Sequence, residues 1–242
     1  MKLLSVTLLL LTFSVHSLAM ICGEDDRQLY ADSRIGRMKL FMNDNGCTVT
    51  MISKNCALTA GHCLKHMKTV EFNVPLSVRG KAQFAGPQDV YSVDPNSIVY
   101  MEVRPSNDWA VIKLKKNMYT RLSAGEAYGY FPVNFNAPQV GEEVRISGYG
   151  RDDRPDGSRN FVLQSDYGKI TAMQSLVFGK AIHYRIDGTG GTSGSAILRT
   201  KQQDIVGIHT HGGCNSIDNH GTSIADRPEL QKAIVACLGS DK

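Results

Sequence analysis

The sequence predicts an all-β protein, and three observations carry that reading. Short runs alternate apolar and polar residues, clusters of Gly, Asn, Asp and Pro separate them, and only one stretch keeps a helical period. In chain order the runs are Thr48–Ser53, Glu71–Val78, Ile98–Val103, Trp109–Leu114, Glu143–Ser147, Phe161–Lys169, Ala181–Ile186 and Ile205–Thr210. The helical stretch is Arg227–Cys237. Asp226 stands as its N-cap, Pro228 lies in the first turn, and Leu230, Ala233, Ile234 and Cys237 share one face, with Gly239 as the stop. Between Lys115 and Pro138 the pattern loosens into polar sequence with Gly and Pro, which suits a linker between two β units of about 100 residues each. There is no internal repeat, and Arg151–Asn160 is a polar loop.

Composition bounds the function. Of 242 residues, 42% are hydrophobic and 21% charged, which excludes collagen-like, coiled-coil and wholly disordered chains. The net charge of +4 comes from scattered residues, so no basic stripe tracks a phosphate backbone and no nucleic-acid partner is expected.

Lys2 is followed by the apolar run Leu3–Val15 and then Ser17-Leu18-Ala19, whose small residues suit signal-peptidase cleavage after Ala19. As a helix that run rises only about 20 Å, short of the ~30 Å hydrocarbon core. Residues 1–19 are therefore expected to be a secretory signal, and the product to be soluble, monomeric, off the membrane, and secreted or periplasmic. Ile21 occupies the place a lipoprotein box needs small, so lipidation before Cys22 is not expected.

All six cysteines, Cys22, Cys47, Cys56, Cys63, Cys214 and Cys237, follow the expected cut, and an even number in an exported chain points to as many as three disulfides. The competing use is a metal site, since His209, His211, Cys214 and His220 cluster in sequence. Their spacing matches no common zinc signature, and neither metal nor cofactor is expected.

Three segments carry chemistry, in the order His, Asp, Ser. Leu58-Thr59-Ala60-Gly61-His62-Cys63 surrounds one imidazole with small residues. Asn107-Asp108-Trp109-Ala110-Val111-Ile112-Lys113-Leu114 sets an aspartate at the mouth of a core strand, and Thr189-Gly190-Gly191-Thr192-Ser193-Gly194-Ser195 surrounds a serine with glycines just before a buried strand. Singly, these are a structural histidine, a turn aspartate and a loop. Together they are what acyl transfer requires: a hydroxyl nucleophile, an imidazole to take and return its proton, and a carboxylate to fix the imidazole's tautomer. The glycines leave room for backbone N–H groups to converge on a developing oxyanion, and Gly191 and Ser193 are the natural donors.

These three motifs resemble those of the trypsin-like serine endopeptidases. Val206-Gly207-Ile208-His209 is similar to the family's cleft-lining strand, and the C-terminal helix extends the likeness over the chain beyond the signal. The opening Ile21-Cys22-Gly23-Glu24-Asp25-Asp26-Arg27 and the Gly-x-Ser-Gly-Ser form look most like the bacterial glutamyl endopeptidase branch. An α/β-hydrolase would run Ser, Asp, His with a Gly-x-Ser-x-Gly elbow, and Ser195 replaces that last glycine.

The resemblance implies two six-stranded antiparallel β-barrels with the active site at their junction and a C-terminal α-helix. Residues 20–120 would be the first barrel, carrying His62 and Asp108; residues 121–242 would hold the linker, the second barrel with Ser193, and the helix. It implies a Cys47–Cys63 bridge across the histidine loop, Cys56 with Cys237, and Cys22 with Cys214. It implies a cofactor-free serine endopeptidase acting on proteins or peptides.

The departures matter too. Thr192 stands where digestive members carry the aspartate that pairs with a freed amino terminus, so the exported chain is expected to be active once folded. Asp187, six residues before Ser193, stands where trypsin selects Arg and Lys, whereas His209 fits the histidine that binds acidic side chains in the glutamyl branch. Gly188 takes the place of that branch's threonine, with Thr189 one place late. Acidic side chains are the favoured substrates, and Arg/Lys selection by Asp187 the alternative. His211 is assigned to the substrate cleft and His220 to solvent. A catalytically silent peptide-binding protein on the same fold is the reading from another class, and a metal-dependent hydrolase using the histidines the third.

Overall fold

The computed structural model describes residues 20–38, 46–66, 68–103, 106–214 and 218–240, so the expected signal, residues 1–19, lies outside the described residues. Strands β1 (Gln28–Leu29), β2 (Ile35–Met38), β3 (Thr48–Met51), β4 (Cys56–Thr59), β5 (Thr69–Glu71), β6 (Val90–Ser92), β7 (Val99–Val103) and β8 (Asn107–Lys113) precede a short helix α1 (Ala124–Tyr128). Then come β9 (Glu143–Gly148), β10 (Gln164–Leu176), β11 (Gly179–Tyr184), β12 (Ala196–Arg199), β13 (Ile205–His211), β14 (Asn219–Ser223) and helix α2 (Pro228–Gly239).

The fold is all-β, with two antiparallel sheets. In the C-terminal one, β10-β11-β14-β13-β12-β9 closes because β9 also pairs with β10, and β1 adds an outer edge to β10. The N-terminal one runs β6-β5-β2-β3-β4-β8-β7 and curls, the Val93–Leu114 bridge tying the end of β6 to the end of β8. One buried cluster runs from Val49, Leu58 and Ile112 of the first sheet through Ile208 of the second to Leu230 and Ile234 of α2. A second, around Val144, Ile146, Ile182 and Val206, fills the closed barrel.

Most of the period-two runs became strands, some covered on both faces as β8 is and some largely exposed as β7 is. The expected Glu71–Val78 strand ends at Glu71, because Asn73 takes a left-handed φ of 48° and Pro75 follows. The expected Phe161–Lys169 strand starts at Gln164, after Phe161 itself turns left-handed at φ 55°, and runs on to Leu176. The loose stretch after Lys115 holds α1, opened by a capping box between Ser123 and Glu126. Helix α2 buries the expected face, Leu230, Ala233, Ile234 and Cys237, but its N-cap is Arg227 rather than Asp226 and it runs through Gly239.

Three disulfides fasten this frame: Cys47–Cys63, Cys56–Cys237 and Cys22–Cys214. The first closes a short loop around His62, with a sequence separation of 16, worth about 3 kcal/mol by chain entropy. The second clamps α2 to β4, and the third ties the N-terminal segment to the turn after β13.

Candidate active site

His62 follows β4, in a 3-10 turn that begins at Gly61. A side chain at Gly61 would put its Cβ 2.0 Å from the Met101 carbonyl oxygen, so only glycine lets this turn press against β7. Asp108 is the second residue of β8 and wholly buried. Its Oδ1 accepts the His62 backbone N–H at 2.9 Å, and its Oδ2 lies 2.6 Å from His62 Nδ1. Burial works against the Asp108 carboxylate, but the hydrogen bonds and charge of His62 outweigh it and hold the carboxyl below its ordinary value. A donor at Nδ1 leaves Nε2 as the basic nitrogen.

Ser193 lies in the loop between β11 and β12, packed against the histidine loop from the other sheet. The Ser193 carbonyl oxygen accepts Thr48 N–H at 2.8 Å and lies 3.9 Å from Cys63 Sγ. The loop turns sharply after it. Gly194 has φ +90°, and a Cβ there would meet Thr59 Oγ1 at 2.2 Å and the Thr48 carbonyl oxygen at 2.3 Å. Gly194 N–H donates to the His209 carbonyl, and the Ser195 hydroxyl to the Thr192 carbonyl. The N–H groups of Gly191 and Ser193 make no hydrogen bond among the described residues, and the Gly191 carbonyl is held away by the Thr48 hydroxyl at 2.9 Å. No hydrogen bond joins the Ser193 hydroxyl to His62 among the described residues.

Two positioning residues, Thr222 and Thr48, escaped the sequence reading. The Thr222 hydroxyl accepts Asp108 N–H and donates to the Asp108 carbonyl, both at 3.1 Å, pinning the aspartate to β14 of the other sheet. Thr48 joins β3 to both Ser193 and Tyr149. Thr192, in place of the digestive members' aspartate, braces its own loop: its hydroxyl accepts Thr189 N–H at 3.2 Å and its N–H donates to the Thr189 carbonyl at 3.0 Å.

The structure separates the expected specificity residues. Asp187 is buried, and both its oxygens face the N-terminal segment, accepting Cys22 N–H at 2.7 Å and Asp26 N–H at 2.9 Å. Both its oxygens are thus engaged within the chain. Thr189 turns outward as well, its hydroxyl donating to the Arg151 carbonyl at 2.7 Å and accepting from Arg27 Nη1 at 2.9 Å. His209 remains. It is buried, its Nδ1 lies 2.6 Å from the Tyr184 hydroxyl, and its Nε2 is buried with no partner. Burial and the neighbouring His220, His211 and His62 push it down to about 3, so the ring is neutral. Burial also pushes the Tyr184 phenol far up, so it keeps its proton; with that O–H donated to Nδ1, its one hydrogen-bond partner among the described residues, the His209 proton is carried on Nε2 as an unused donor.

His220 is buried, contrary to the solvent position expected for it, because β14 lies between β11 and β13 with both neighbours paired. A row of imidazoles results. His183 stacks on His220 with centroids 5.3 Å apart, His220 on His211 at 5.2 Å, and His211 stands 5.9 Å from His62. The donors of Cys47, His62 and Cys63 also lie close together, but both sulfurs belong to one disulfide, and Cys214 is likewise bridged.

A family model described as Trypsin matches residues 27–226. The chain belongs to the trypsin family. Among solved structures of this fold it is similar to a Glu endopeptidase in complex with MPD, at TM-score 0.70 and 23% identity over 90% of this chain and 99% of that one. It is also similar to the thermostable serine protease AL20 from an extremophilic microorganism, at TM-score 0.63 and 17% identity over 86% and 98%. A third is the protease Anisep from Arthrobacter nicotinovorans, at TM-score 0.60 and 20% identity over 88% and 99%. At these identities the likeness is one of fold. A curated relative in sequence, Secreted RxLR effector protein 73 of Plasmopara viticola, is 26% identical over 184 residues, which is 69% of this chain but 42% of that protein. This trypsin-family chain therefore spans less than half of that relative.

Proposed function

We propose that this trypsin-family chain is an exported serine endopeptidase that cleaves after acidic side chains. Ser193 attacks the peptide carbonyl while His62 Nε2 takes its proton and later gives it to the leaving amine. Asp108 keeps the His62 proton on Nδ1 and stabilises the imidazolium. The free N–H groups of Gly191 and Ser193 receive the oxyanion, and water hydrolyses the acyl-enzyme through the same base. The observation that carries the reading is the two-point grip of buried Asp108 on His62, beside a serine loop with two unspent amides.

His209 Nε2–H supports the acidic preference, because a neutral buried donor suits a carboxylate and gives nothing to Arg or Lys. The use of Asp187 on the N-terminal amides speaks against the Arg/Lys alternative. Three disulfides and a relative named as a secreted effector support export with residues 1–19 as signal. Residues 20–120 and 121–242 then serve as the two halves of the enzyme, each lending part of the triad.

The test is intact-mass measurement of the exported protein and of Ser193→Ala after treatment with a fluorophosphonate, followed by digestion of an unstructured peptide library. One adduct lost in Ser193→Ala, with cuts after Glu and Asp, is the expected result. Absence of adduct and cleavage would instead favour a silent binding protein.

A further inference from the structure

We propose that Met20 is a specificity-determining residue that acts as an internal competitor: its side chain occupies the pocket beside His209 and must move aside for a substrate side chain. The proposal rests on the proteolytic reading above and adds to it.

Met20 packs between two glycines, Gly188 on the approach to Ser193 and Gly212 just beyond β13, and the space it fills there is the pocket. Met20 runs from one to the other. A Cβ built on Gly212 would lie 2.1 Å from Met20 Cγ and 3.0 Å from its Cβ. A Cβ built on Gly188 would lie 3.5 Å from Met20 Cε and, equally, 3.5 Å from His209 Nε2. The thioether methyl and the unspent donor of His209 thus border the same small space, which a carboxylate reaching His209 would have to enter.

The backbone of this segment is held tightly while the Met20 side chain is held only by packing. The Met20 carbonyl accepts Gly188 N–H at 3.1 Å and Asn219 Nδ2 at 2.7 Å. Two residues later Cys22 is bridged to Cys214 and capped by Asp187. Asn219 is itself fixed, donating to the Ile186 carbonyl at 2.7 Å and accepting Gly213 N–H at 2.8 Å. Polar groups therefore fix where residue 20 sits, and its side chain decides how much room is left. An unbranched methionine with three rotatable bonds fills such a gap and can also leave it.

A competitor inside the pocket raises KM for substrates that need the pocket and leaves short side chains little affected. The experiment measures kcat/KM on two fluorogenic peptides that differ only before the scissile bond, one carrying the side chain the library prefers and one carrying Ala. The enzymes are the exported protein, Met20→Gly and Met20→Phe, with intact mass establishing that residue 20 is present in each. Met20→Gly is expected to raise the preferred-to-Ala ratio at least about tenfold, the scale of one or more methylenes in a pocket, mainly through KM; Met20→Phe should lower it. A ratio unchanged within about twofold in both variants, with Ser193 still labelled by the fluorophosphonate, overturns the competitor and spares the protease. Removal of Met20 during export also overturns it, and absence of labelling in the unsubstituted protein overturns both readings.

Discussion

Replacing Asp187 by alanine separates two roles that one carboxylate could hold. In the structure it accepts Cys22 N–H and Asp26 N–H, at 2.7 and 2.9 Å, and it is only 5% exposed, so water does not easily take its place. A hydrogen bond to a charged group contributes about 1.5–3 kcal/mol, so two would give about 3–6 kcal/mol. Two features lower that figure. The Cys22–Cys214 bridge keeps Cys22 near its place, and half-buried Asp166, whose carboxyl is raised by burial and by the charge of Asp187, is relieved when that charge goes. A loss of about 3 kcal/mol remains, which for a chain of this size lowers Tm by roughly 6–12 °C. Asp187→Asn, which keeps one acceptor oxygen, should lose about half as much. Thermal unfolding with the disulfides intact measures this, and digestion of the peptide library by the same variants gives the second readout. Refutation would be a Tm unmoved within about 2 °C together with the disappearance of cleavage after Arg and Lys. The carboxylate would then belong to the substrate and not to the N-terminal segment.

Two further outcomes are expected. Thr222→Val keeps the shape of a buried side chain but strands both the N–H and the C=O of Asp108, and should destabilise by about 2–4 kcal/mol in urea unfolding; Thr222→Ser should recover most of the loss, and a Val variant within 0.5 kcal/mol of the parent, the usual surface range, would show the pair to be idle. Acid should destabilise the fold through His209: its pKa falls from 6.5 to about 3 on burial, so the unfolded chain binds more protons between those values and stability drops as pH falls through that window. From pH 7 to 4.5 the drop from this group is about 2–3 kcal/mol. His183 and His220 are lowered by burial and act with the same sign, and Asp108 adds its own loss at lower pH. His209→Phe should flatten the slope in denaturant titrations at several pH values, and a slope equal to the parent's would rule the histidine out as its source.

Much of the frame was legible because its signals are local. Trp109-Ala110-Val111-Ile112 and Ile205-Val206-Gly207-Ile208 read as strands from their own residues and lie in β8 and β13. Other strands carried misleading chemistry. β2 contains Arg37, which looks like a surface residue, yet its guanidinium is fully buried against Glu71 of β5 at 2.7 Å and bonded to the Phe161 and Gln83 carbonyls. No periodicity could reveal that, because the charge is made tolerable by a partner on another strand. β14, Asn-His-Gly-Thr-Ser, has no hydrophobic residue to announce it, and is a strand because β11 and β13 pair with it on either side.

By itself the sequence determined the fold class, the trypsin-like succession of His62, Asp108 and Ser193, the surrounding glycines and the even set of cysteines. Each of these follows from what a short segment must contain to make a strand, a tight turn or an acyl-transfer group. Only the tertiary structure decided how the side chains near the site are used. Asp187 meets Cys22 across 165 residues, Thr222 meets Asp108 across 114, and Asn219 meets Met20 across 199. The contact between Thr222 and Asp108 depends on how the two sheets meet, and the other two on how the N-terminal segment lies against the C-terminal sheet, where it takes both oxygens of Asp187. Pairing within the C-terminal sheet buries His220 between β11 and β13, and the N-terminal segment brings Met20 up to His209, because a buried polar group takes whatever partner the packed chain puts within reach.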